Sequence, residues 1–334
     1  MKHNPFASEI YRDIWLKHYN NGHKGISFKF LKGVHCIKDG KRYVNVGKNF
    51  TNGMFYAIDD NVTDYKGKTI VVYDVPKYFK TTDLSGNSPL KCIKVRQYKG
   101  LYVDVSKYKT LDELLVEKFK KSKSRYNFRS SVKKLEKNYD ISQQVFFGDI
   151  EKEAYDELIQ QFKRILETRF DNISTHNTVL PMWDFYKEVL FPMILEKQVA
   201  LNVMYDGEIP IAMSFSFVYD DDTFVVALRT FDMNYYKEGL GNIEIYRLIE
   251  WCMNNGITTL DFSKGQSDYK ERWCDVEYTY EHHIIYDSKS LKASLSAKTI
   301  ANTFRLKQYL RDKKVNIMIT KAIYKVKKLV PGKA

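Results

Sequence analysis

The chain has 334 residues, of which 44% are hydrophobic and 28% charged, and its net charge is +13. This length and composition are enough for the cores of two domains of ordinary size. No apolar run approaches the ~18–20 residues that span a bilayer, and the first fifteen residues lack the apolar segment of a signal peptide. The cysteines form no C-x-x-C pair, so they indicate neither a zinc site nor a disulfide framework. We therefore expect a cytoplasmic protein without a metal.

The periodicity of apolar residues changes along the chain. Residues 7–20 predict a helix that ends at Asn20-Asn21-Gly22, and short β-rich runs follow from Ile26 to about Val105. Helical patterns then dominate at 111–137, 150–170 and 182–196, and strand patterns return at 199–205, 209–218 and 223–231. The last strand pattern covers residues 277–286, where His282 and His283 point to opposite faces.

A glycine turn, Gly239-Leu240-Gly241, stands directly before an amphipathic helical pattern. That pattern stops at Asn255-Gly256, and a short strand, a second turn at Gly265 and the segment 269–273 follow. A glycine turn at a helix start directs backbone N–H groups and the positive helix end toward an anion. The pattern therefore predicts a phosphate-bearing ligand, with a simple tight turn as the alternative.

The excess positive charge belongs to two segments. Residues 288–334 contain 13 Lys or Arg and one Asp, and residues 117–137 contain nine basic and two acidic residues. The remainder is slightly acidic, which excludes a general polyanion binder. The tail alternates apolar residues with lysines, and this favours docking on the protein's own surface or a peripheral contact with an anionic membrane. The segment 117–137 is either a solvated helix face or a contact for RNA.

Two motifs in this chain resemble those of the GNAT acyltransferase superfamily. Tyr236-Lys237-Glu238-Gly239-Leu240-Gly241 is similar to its acyl-CoA loop, with Tyr236 where Arg or Gln is usual. The motif Asp261-Phe262-x-x-Gly265-x-x-x-Tyr269-Lys270-x-x-Trp273 resembles the branch associated with cellulose and capsule polysaccharide biosynthesis. That branch is related to the Fem-type aminoacyltransferases, which carry two GNAT-like domains in tandem. The resemblance covers roughly residues 115–286.

The resemblance implies an α/β (α+β) GNAT fold, with a mixed central sheet flanked by helices. We expect a degenerate GNAT-like domain over residues 1–112, a catalytic domain that binds acyl-CoA over 113–287, and a basic helical tail over 288–334. In this fold the strand predicted at 223–231 separates from its neighbour, which leaves backbone N–H groups free to hold a thioester oxygen.

The resemblance also assigns roles to individual residues. Gly239, Leu240, Gly241 and Asn242 are predicted to hold the pyrophosphate of acetyl-CoA or another acyl-CoA. Lys270 is predicted to bind an anion, either the CoA phosphates or an acidic acceptor. Tyr269 matches the tyrosine that protonates the departing thiolate, since phenol and thiol pKa values are close. Asp232, at the end of a strand, is a candidate acceptor for the amine's proton, with turn-capping as the alternative. By its position alone, Arg169 at a predicted helix end either reaches toward the acceptor site or only complements the helix dipole.

The predicted activity is acyl-CoA-dependent N-acylation, most simply N-acetylation. The acceptor would be an amino group of a sugar nucleotide or lipid-linked sugar in the synthesis of bacterial cell-surface polysaccharide. We expect a cytoplasmic enzyme, with peripheral contact to the anionic inner membrane through residues 288–334. Two alternatives stay open: a Fem-like enzyme that uses aminoacyl-tRNA, which is the one reading that involves nucleic acid, and a GNAT fold that only binds ligands.

Overall fold

A computed structural model describes residues 3–20, 24–59, 61–82, 84, 88–173, 179–313 and 315. The α-helices in this part of the chain are α1 (Glu9–Tyr19), α2 (Leu111–Lys118), α3 (Ser122–Asn138), α4 (Lys152–Ile173), α5 (Trp183–Leu195), α6 (Leu240–Asn254), α7 (Asp268–Trp273) and α8 (Leu291–Asp312). The strands are β1 (Ile26–Ser27), β2 (Leu31–Lys32), β3 (His35–Asp39), β4 (Arg42–Asn45), β5 (Ala57–Ile58), β6 (Thr69–Pro76), β7 (Leu90–Asp104), β8 (Ile141–Phe146), β9 (Val199–Asp206), β10 (Ile209–Tyr219), β11 (Thr223–Phe231), β12 (Thr259–Lys264) and β13 (Val276–Asp287).

Eleven strands form one mixed sheet in the order β1-β3-β4-β6-β13-β7-β12-β11-β10-β9-β8, and β2 pairs separately with β5. Most neighbours are antiparallel, but β4 runs parallel to β6 and β11 runs parallel to β12. The mixed central sheet flanked by helices that the sequence predicted is confirmed.

The two halves of the chain exchange strands in this sheet. The last strand, β13, lies between β6 and β7 of the N-terminal half, and β7 in turn pairs with β12 of the C-terminal half. The sheet therefore continues without a break across the boundary that we predicted at 112/113. The division into domains over 1–112 and 113–287 stays a prediction.

Helices cover the sheet on both faces. Helices α2, α3, α6 and α7 share one hydrophobic cluster with β11 and β12, and α6 contributes Ile245, Leu248, Ile249 and Cys252 at helical spacing. Helices α1, α4, α5 and α8 belong to a second, larger cluster. The three-layer arrangement lets each strand bury apolar side chains on both faces.

Three local predictions were wrong in detail. The predicted helix over 111–137 is two helices, α2 and α3, because the chain breaks at Phe119 after the cap of α2. Two separate β-rich runs before Val105 form the single 15-residue strand β7. Strand β8 was not predicted, since three of the six residues in its Ile-Ser-Gln-Gln-Val-Phe sequence are polar and it lies at the edge of the sheet.

The described part of the basic tail docks on the sheet. Helix α8 buries Ala293, Ala297, Ile300, Ala301 and Phe304, while Leu291, Leu295, Leu306, Tyr309 and Leu310 are exposed. The later apolar residues of the tail, beyond 315, lie outside the described residues. Of the helices described, none is both long enough and apolar enough to cross a bilayer.

Candidate functional site

The parallel strands β11 and β12 separate part-way along their length. Residues 223–225 pair with residues 259–261, yet β11 continues to Phe231 and β12 to Lys264. Beyond this point the two strands no longer form a ladder, so the inner edge of β11 presents backbone groups without a strand partner. The sheet is therefore open beside the start of α6.

Helix α6 begins at a glycine turn in the left-handed region. Gly239 has φ +78°, and a Cβ at this position would meet no atom within 4 Å. The N–H groups of Asn242 and Ile243 both donate to the Gly239 carbonyl, at 2.9 and 3.2 Å. Leu240 and Gly241 occupy the first helical positions, where an N–H has no acceptor within the helix. These N–H groups and the helix dipole suit an anion.

Phe231 closes the end of β11 against this turn. A Cβ on Gly241 would lie 2.7 Å from the Phe231 Cε1 atom, so the ring requires glycine there. The Arg169 guanidinium lies 5.0 Å from the Phe231 ring centroid and donates to the Arg229 carbonyl at 3.1 Å. Arg169 therefore supports the separated end of β11.

A buried ion pair lies under the first turn of α6. Arg229 of β11 donates to one Glu244 oxygen from Nε at 3.0 Å and from Nη2 at 2.5 Å, and also to the Gly241 carbonyl. The other Glu244 oxygen accepts from the Ser214 hydroxyl at 2.7 Å and from the Asn202 amide at 3.2 Å. Glu244 is 1% exposed. Because both charges have partners, the pair fixes α6 against β11.

Tyr269, the predicted proton donor, lies at the same corner. The Arg229 guanidinium is 4.8 Å from its ring centroid, and the Phe262 ring meets it edge-on at 5.9 Å. The ring is half-buried. The structure thus brings Tyr269 beside the separated strands and the start of α6, and its catalytic role stays a prediction.

Asp232 performs the capping role that the sequence left open. Its carboxylate accepts from the Asn234 N–H at 2.9 Å, and its own N–H donates to the Ile211 carbonyl at 2.7 Å. The carboxylate caps the turn that leads to Gly239. Its predicted role as proton acceptor stays a prediction.

Lys270 and Asn242 connect the loops of the site. The Lys270 ammonium donates to the carbonyls of Lys264 at 2.7 Å and Gly265 at 3.3 Å, and burial lowers the pKa of this lysine to about 8. Asn242 accepts from the Trp273 indole N–H at 3.1 Å and so ties α6 to α7. The ammonium of Lys270 is thus directed at backbone oxygens, while its predicted contact with CoA phosphates stays a prediction.

Asp261 is a buried carboxylate at the last position of β12 that pairs with β11, and the sequence assigned it no role. One oxygen accepts from the Tyr78 hydroxyl at 2.7 Å and the Tyr278 hydroxyl at 2.6 Å, and the other from the Ser263 N–H at 2.6 Å. Burial raises the pKa of Asp261 to about 6, although these hydrogen bonds oppose the rise. Tyr78 lies 183 residues away in the chain, so no local spacing could have indicated the pair.

A second buried carboxylate joins the two halves nearby. The Lys264 ammonium lies 2.7 Å from Asp74, whose backbone is left-handed with φ +57°. Burial raises the pKa of Asp74 to about 6 against the opposing effect of Lys264. Ser263, between the two charged positions of β12, also has a positive φ of +58°. Strained backbone at this corner is typical of functional loops.

The two histidines of β13 have structural contacts. His282 accepts from the Asp74 N–H at 3.2 Å and packs edge-on against Phe304, and burial lowers its pKa to about 3. His283 shares hydrogen bonds with the Tyr56 hydroxyl at 2.8 Å and Glu281 at 3.1 Å. Neither ring lies at the separated strands.

A basic groove of about 790 Å³ lies between the α2–α3 connection and α7. Its cations include Lys107, Lys118, Lys120, Lys121 and Arg272. The Lys118 ammonium pairs with Asp275 at 2.6 Å, and Arg272 reaches the Asn242 side chain at 3.5 Å. The groove therefore adjoins the first turn of α6. Over the described ranges, no group of three or more His, Cys, Asp or Glu side chains is placed to hold a metal ion.

This part of the chain matches a known domain family. The acetyltransferase (GNAT) domain family covers residues 122–271, which include the separated strands, α6 and Tyr269. Residues 122–271 are therefore similar to a GNAT acetyltransferase domain. No curated protein matches the chain significantly.

Solved structures show the same fold over most of the chain. A conserved protein of unknown function from Bacteroides thetaiotaomicron is 12% identical, with a TM-score of 0.55 over 85% of this chain and 91% of that chain. FemX is 8% identical, with a TM-score of 0.51 over 87% of this chain and 98% of its own. At these identities the likeness concerns the fold alone. The GNAT fold expected from the two glycine motifs is confirmed.

Proposed function

We propose that the protein is an acyl-CoA-dependent N-acyltransferase, most simply an N-acetyltransferase. Its acceptor would be an amino group of a sugar nucleotide or lipid-linked sugar in bacterial cell-surface polysaccharide synthesis. The observation that carries the proposal is the separation of β11 from β12 beside the glycine turn that opens α6. At the end of the gap beside α6, backbone N–H groups of the glycine turn can bind phosphates. Along the gap, backbone groups of β11 that have no partner on β12 can bind the arm that carries the thioester.

The residues around the gap supply the remaining functions. In N-acylation the amine nitrogen forms a bond to the thioester carbon while the bond from carbon to sulfur breaks. The leaving thiolate requires a proton, and Tyr269 stands beside the gap with a phenol that can donate one. Arg229, paired with Glu244, fixes the ring of Tyr269 and the first turn of α6.

A matched pair of glycine variants tests the phosphate site. Gly239 and Gly256 precede and follow α6, with φ +78° and +75°, and neither has an atom within 4 Å of an added Cβ. Gly239→Ala and Gly256→Ala therefore carry a similar backbone strain of ~1–2 kcal/mol. Only the first places a methyl group where the phosphates would approach. We expect Gly239→Ala to weaken acetyl-CoA binding about tenfold, or ~1.4 kcal/mol, with Gly256→Ala near wild type by calorimetry.

Equal affinities in both variants would remove the glycine turn from the binding site. Absence of acetyl-CoA binding to the wild-type protein, measured also as an unchanged unfolding midpoint, would reject acetyl-CoA as the donor.

The basic groove favours aminoacyl-tRNA as the second candidate donor. Lys120 and Lys121 are exposed there, and the groove adjoins the first turn of α6 through Arg272. Backbone phosphates of RNA would meet these cations with a strong dependence on salt. Filter binding with aminoacylated tRNA tests this. Salt-sensitive binding that Lys120→Ala and Lys121→Ala weaken, in a protein that does not bind acetyl-CoA, would favour this donor.

A further inference from the structure

A second cavity, of about 550 Å³, lies where the N-terminal half meets the first residues of β11 and β12. Its wall is largely aromatic and contains Phe55, Tyr56, Tyr78 and Phe79. Asp222, Lys80 and threonines at the start of both strands form the polar side. A cavity of this size, apolar with a few convergent polar groups, is typical of a small-molecule site.

The cavity lies on the face of the sheet opposite α6. Leu260 and Phe262 of β12 pack into the cluster that contains α6, and successive residues of a strand point to opposite faces. Asp261 and Thr259 therefore face the other side, where Thr259 lines the cavity. The strands are paired at the cavity end and separate after Asp261, so Asp261 lies between the cavity and the gap.

Tyr78 connects the cavity to Asp261. Its ring forms part of the cavity wall, and its hydroxyl donates to the Asp261 carboxylate at 2.7 Å. Asp261 itself is 0% exposed, so a molecule in the cavity can exchange protons with it only through a neighbour. Tyr78 is half-buried and is in position to do so.

We propose that this cavity binds the acceptor, a cationic amine on a ring-sized body such as an amino sugar, and that Tyr78 and Asp261 take up the amine's proton. The inference rests on the proposed acyltransferase activity and specifies its acceptor site.

The chemistry of the wall supports a cationic amine on a ring. The faces of Phe55, Tyr56 and Phe79 offer apolar surface for the carbon skeleton and a negative quadrupole for an ammonium. The polar side carries one carboxylate, Asp222, and one ammonium, Lys80, so Asp222 can pair with the acceptor's amine although the wall has no net charge. Threonine hydroxyls beside it can pair with sugar hydroxyls.

Tyr78 and Asp261 take up the proton that the acceptor nitrogen loses during the reaction. The bound ammonium first releases one proton to solvent. The neutral amine then attacks the thioester carbon, and the nitrogen carries a further proton that it must lose. That proton passes to the Tyr78 oxygen as the Tyr78 hydroxyl proton moves to Asp261. The bond to sulfur breaks, and the thiolate receives a proton from Tyr269. The products are the amide and the free thiol, and transfer through solvent restores Asp261 and Tyr269. Tyr78 is thus the group that touches the acceptor, and Asp261 acts through it.

Calorimetric titration of the protein with glucosamine, in the absence of any acyl donor, tests whether the cavity binds an amino sugar. We expect glucosamine to bind and N-acetylglucosamine, which lacks the cationic amine, to bind at least tenfold more weakly. Ala57→Phe, which places a ring into the cavity from β5, should weaken glucosamine at least tenfold and leave acetyl-CoA affinity unchanged. Equal glucosamine affinity in a folded Ala57→Phe protein, or no binding to the wild type, would overturn the inference.

Kinetics with acetyl-CoA and glucosamine test the proton route. Tyr278 donates an equivalent hydrogen bond to Asp261 but is not part of the cavity wall, so Tyr278→Phe is a matched control. We expect Tyr78→Phe to lower kcat by ~10²-fold or more and Tyr278→Phe by less than ~10-fold. Equal effects in the two variants would show that the tyrosines only hold Asp261 and would reject the relay. If the wild-type protein does not bind acetyl-CoA, the proposed acyl-CoA donor is rejected. The glucosamine titration then still tests whether the cavity binds the acceptor.

Discussion

At the scale of single residues, the corner where β12 ends holds two ionisable groups that burial affects in opposite directions. Burial raises the pKa of Asp261 to about 6 and lowers that of Lys270 to about 8. Each keeps partners that oppose the shift: tyrosine hydroxyls for Asp261, and the charge of Asp261 for Lys270. Groups with such pKa values can exchange protons near neutral pH, which is typical of active sites.

The Asp261 pKa predicts how activity depends on pH. Asp261 accepts a proton only when ionised, so kcat/KM should fall as pH falls through about 6. The acceptor amine has its own pKa, and the comparison with Asp261→Asn separates the two effects. The titratable groups that interact with Asp261 are Tyr78, Tyr102, Tyr219, Tyr278, Tyr280, Lys270 and Cys274.

In Asp261→Asn we expect kcat/KM to be at least ~10²-fold lower and its acid limb near pH 6 to disappear. A variant that loses stability but keeps the limb would show that another group takes the proton.

Tyr269 lies between a guanidinium and an aromatic ring, and this position predicts a specific kinetic effect. Tyr269→Phe keeps the ring that packs on Arg229 and Phe262 but removes the acidic hydroxyl. We expect kcat to fall by ~10²–10⁴-fold with little change in acetyl-CoA affinity. If kcat stays constant while the KM for acetyl-CoA rises, Tyr269 is a binding residue.

At the scale of elements, helix α6 is held in position by its apolar face and by its first turn. Its apolar side packs into the cluster with β11 and β12, and its first turn is fixed by the ion pair of Arg229 with Glu244. The ion pair is important at the N-terminus of α6 because the N-cap residue, Gly239, has no side chain that could cap the helix. The orientation of the proposed phosphate site therefore depends on a buried charge pair.

Removal of one charge from this pair should destabilise the fold. Glu244→Gln leaves the Arg229 guanidinium buried without a counter-charge, and we expect a loss of ~3–5 kcal/mol in the free energy of unfolding. Glu250→Gln is the control on the same helix, since Glu250 pairs with Arg247 at 2.7 Å where both side chains are partly exposed. That pair should contribute less than ~1 kcal/mol. Denaturant titrations measure both, and similar losses would contradict the importance of the buried pair.

At the scale of the whole molecule, strand exchange joins the two halves into one sheet. The cavity at Tyr78, the contact of Lys264 with Asp74 and the docking of α8 all depend on this exchange. The ring centroids of Phe304 in α8 and His282 in β13 lie 4.8 Å apart, and β13 lies between two strands of the N-terminal half. The tail helix is thus a structural part of the molecule up to Asp312.

The tail beyond α8 is the part whose removal tests membrane contact. Residues 314–334 carry six lysines and no acidic residue. Each lysine near an anionic surface contributes ~1 kcal/mol, over a Debye length of ~8 Å in physiological salt. A chain truncated after Lys313 retains α8, so it should unfold at nearly the same temperature and lose salt-sensitive co-sedimentation with phosphatidylserine vesicles. Equal co-sedimentation of both chains would exclude residues 314–334 as the contact.

The sequence alone was enough to predict what depends on local spacing. The glycine turn, the amphipathic period of α6, the strands at 199–231 and the position of Tyr269 all follow from residues within about ten positions of one another. The same spacing supported the resemblance to GNAT proteins. Strand β8 was missed because an edge strand with alternating polar residues gives little apolar signal.

Only the tertiary structure decided which distant residues meet. Tyr78 and Tyr278 converge on Asp261 because β13 inserts between β6 and β7, and no periodicity in the chain specifies this insertion. The burial that raises the pKa of Asp261 arises from the same convergence. Hydrogen bonding and desolvation act through space over a few ångströms, so a motif carboxylate to which the sequence assigned no role becomes the central group of the proposed acceptor site.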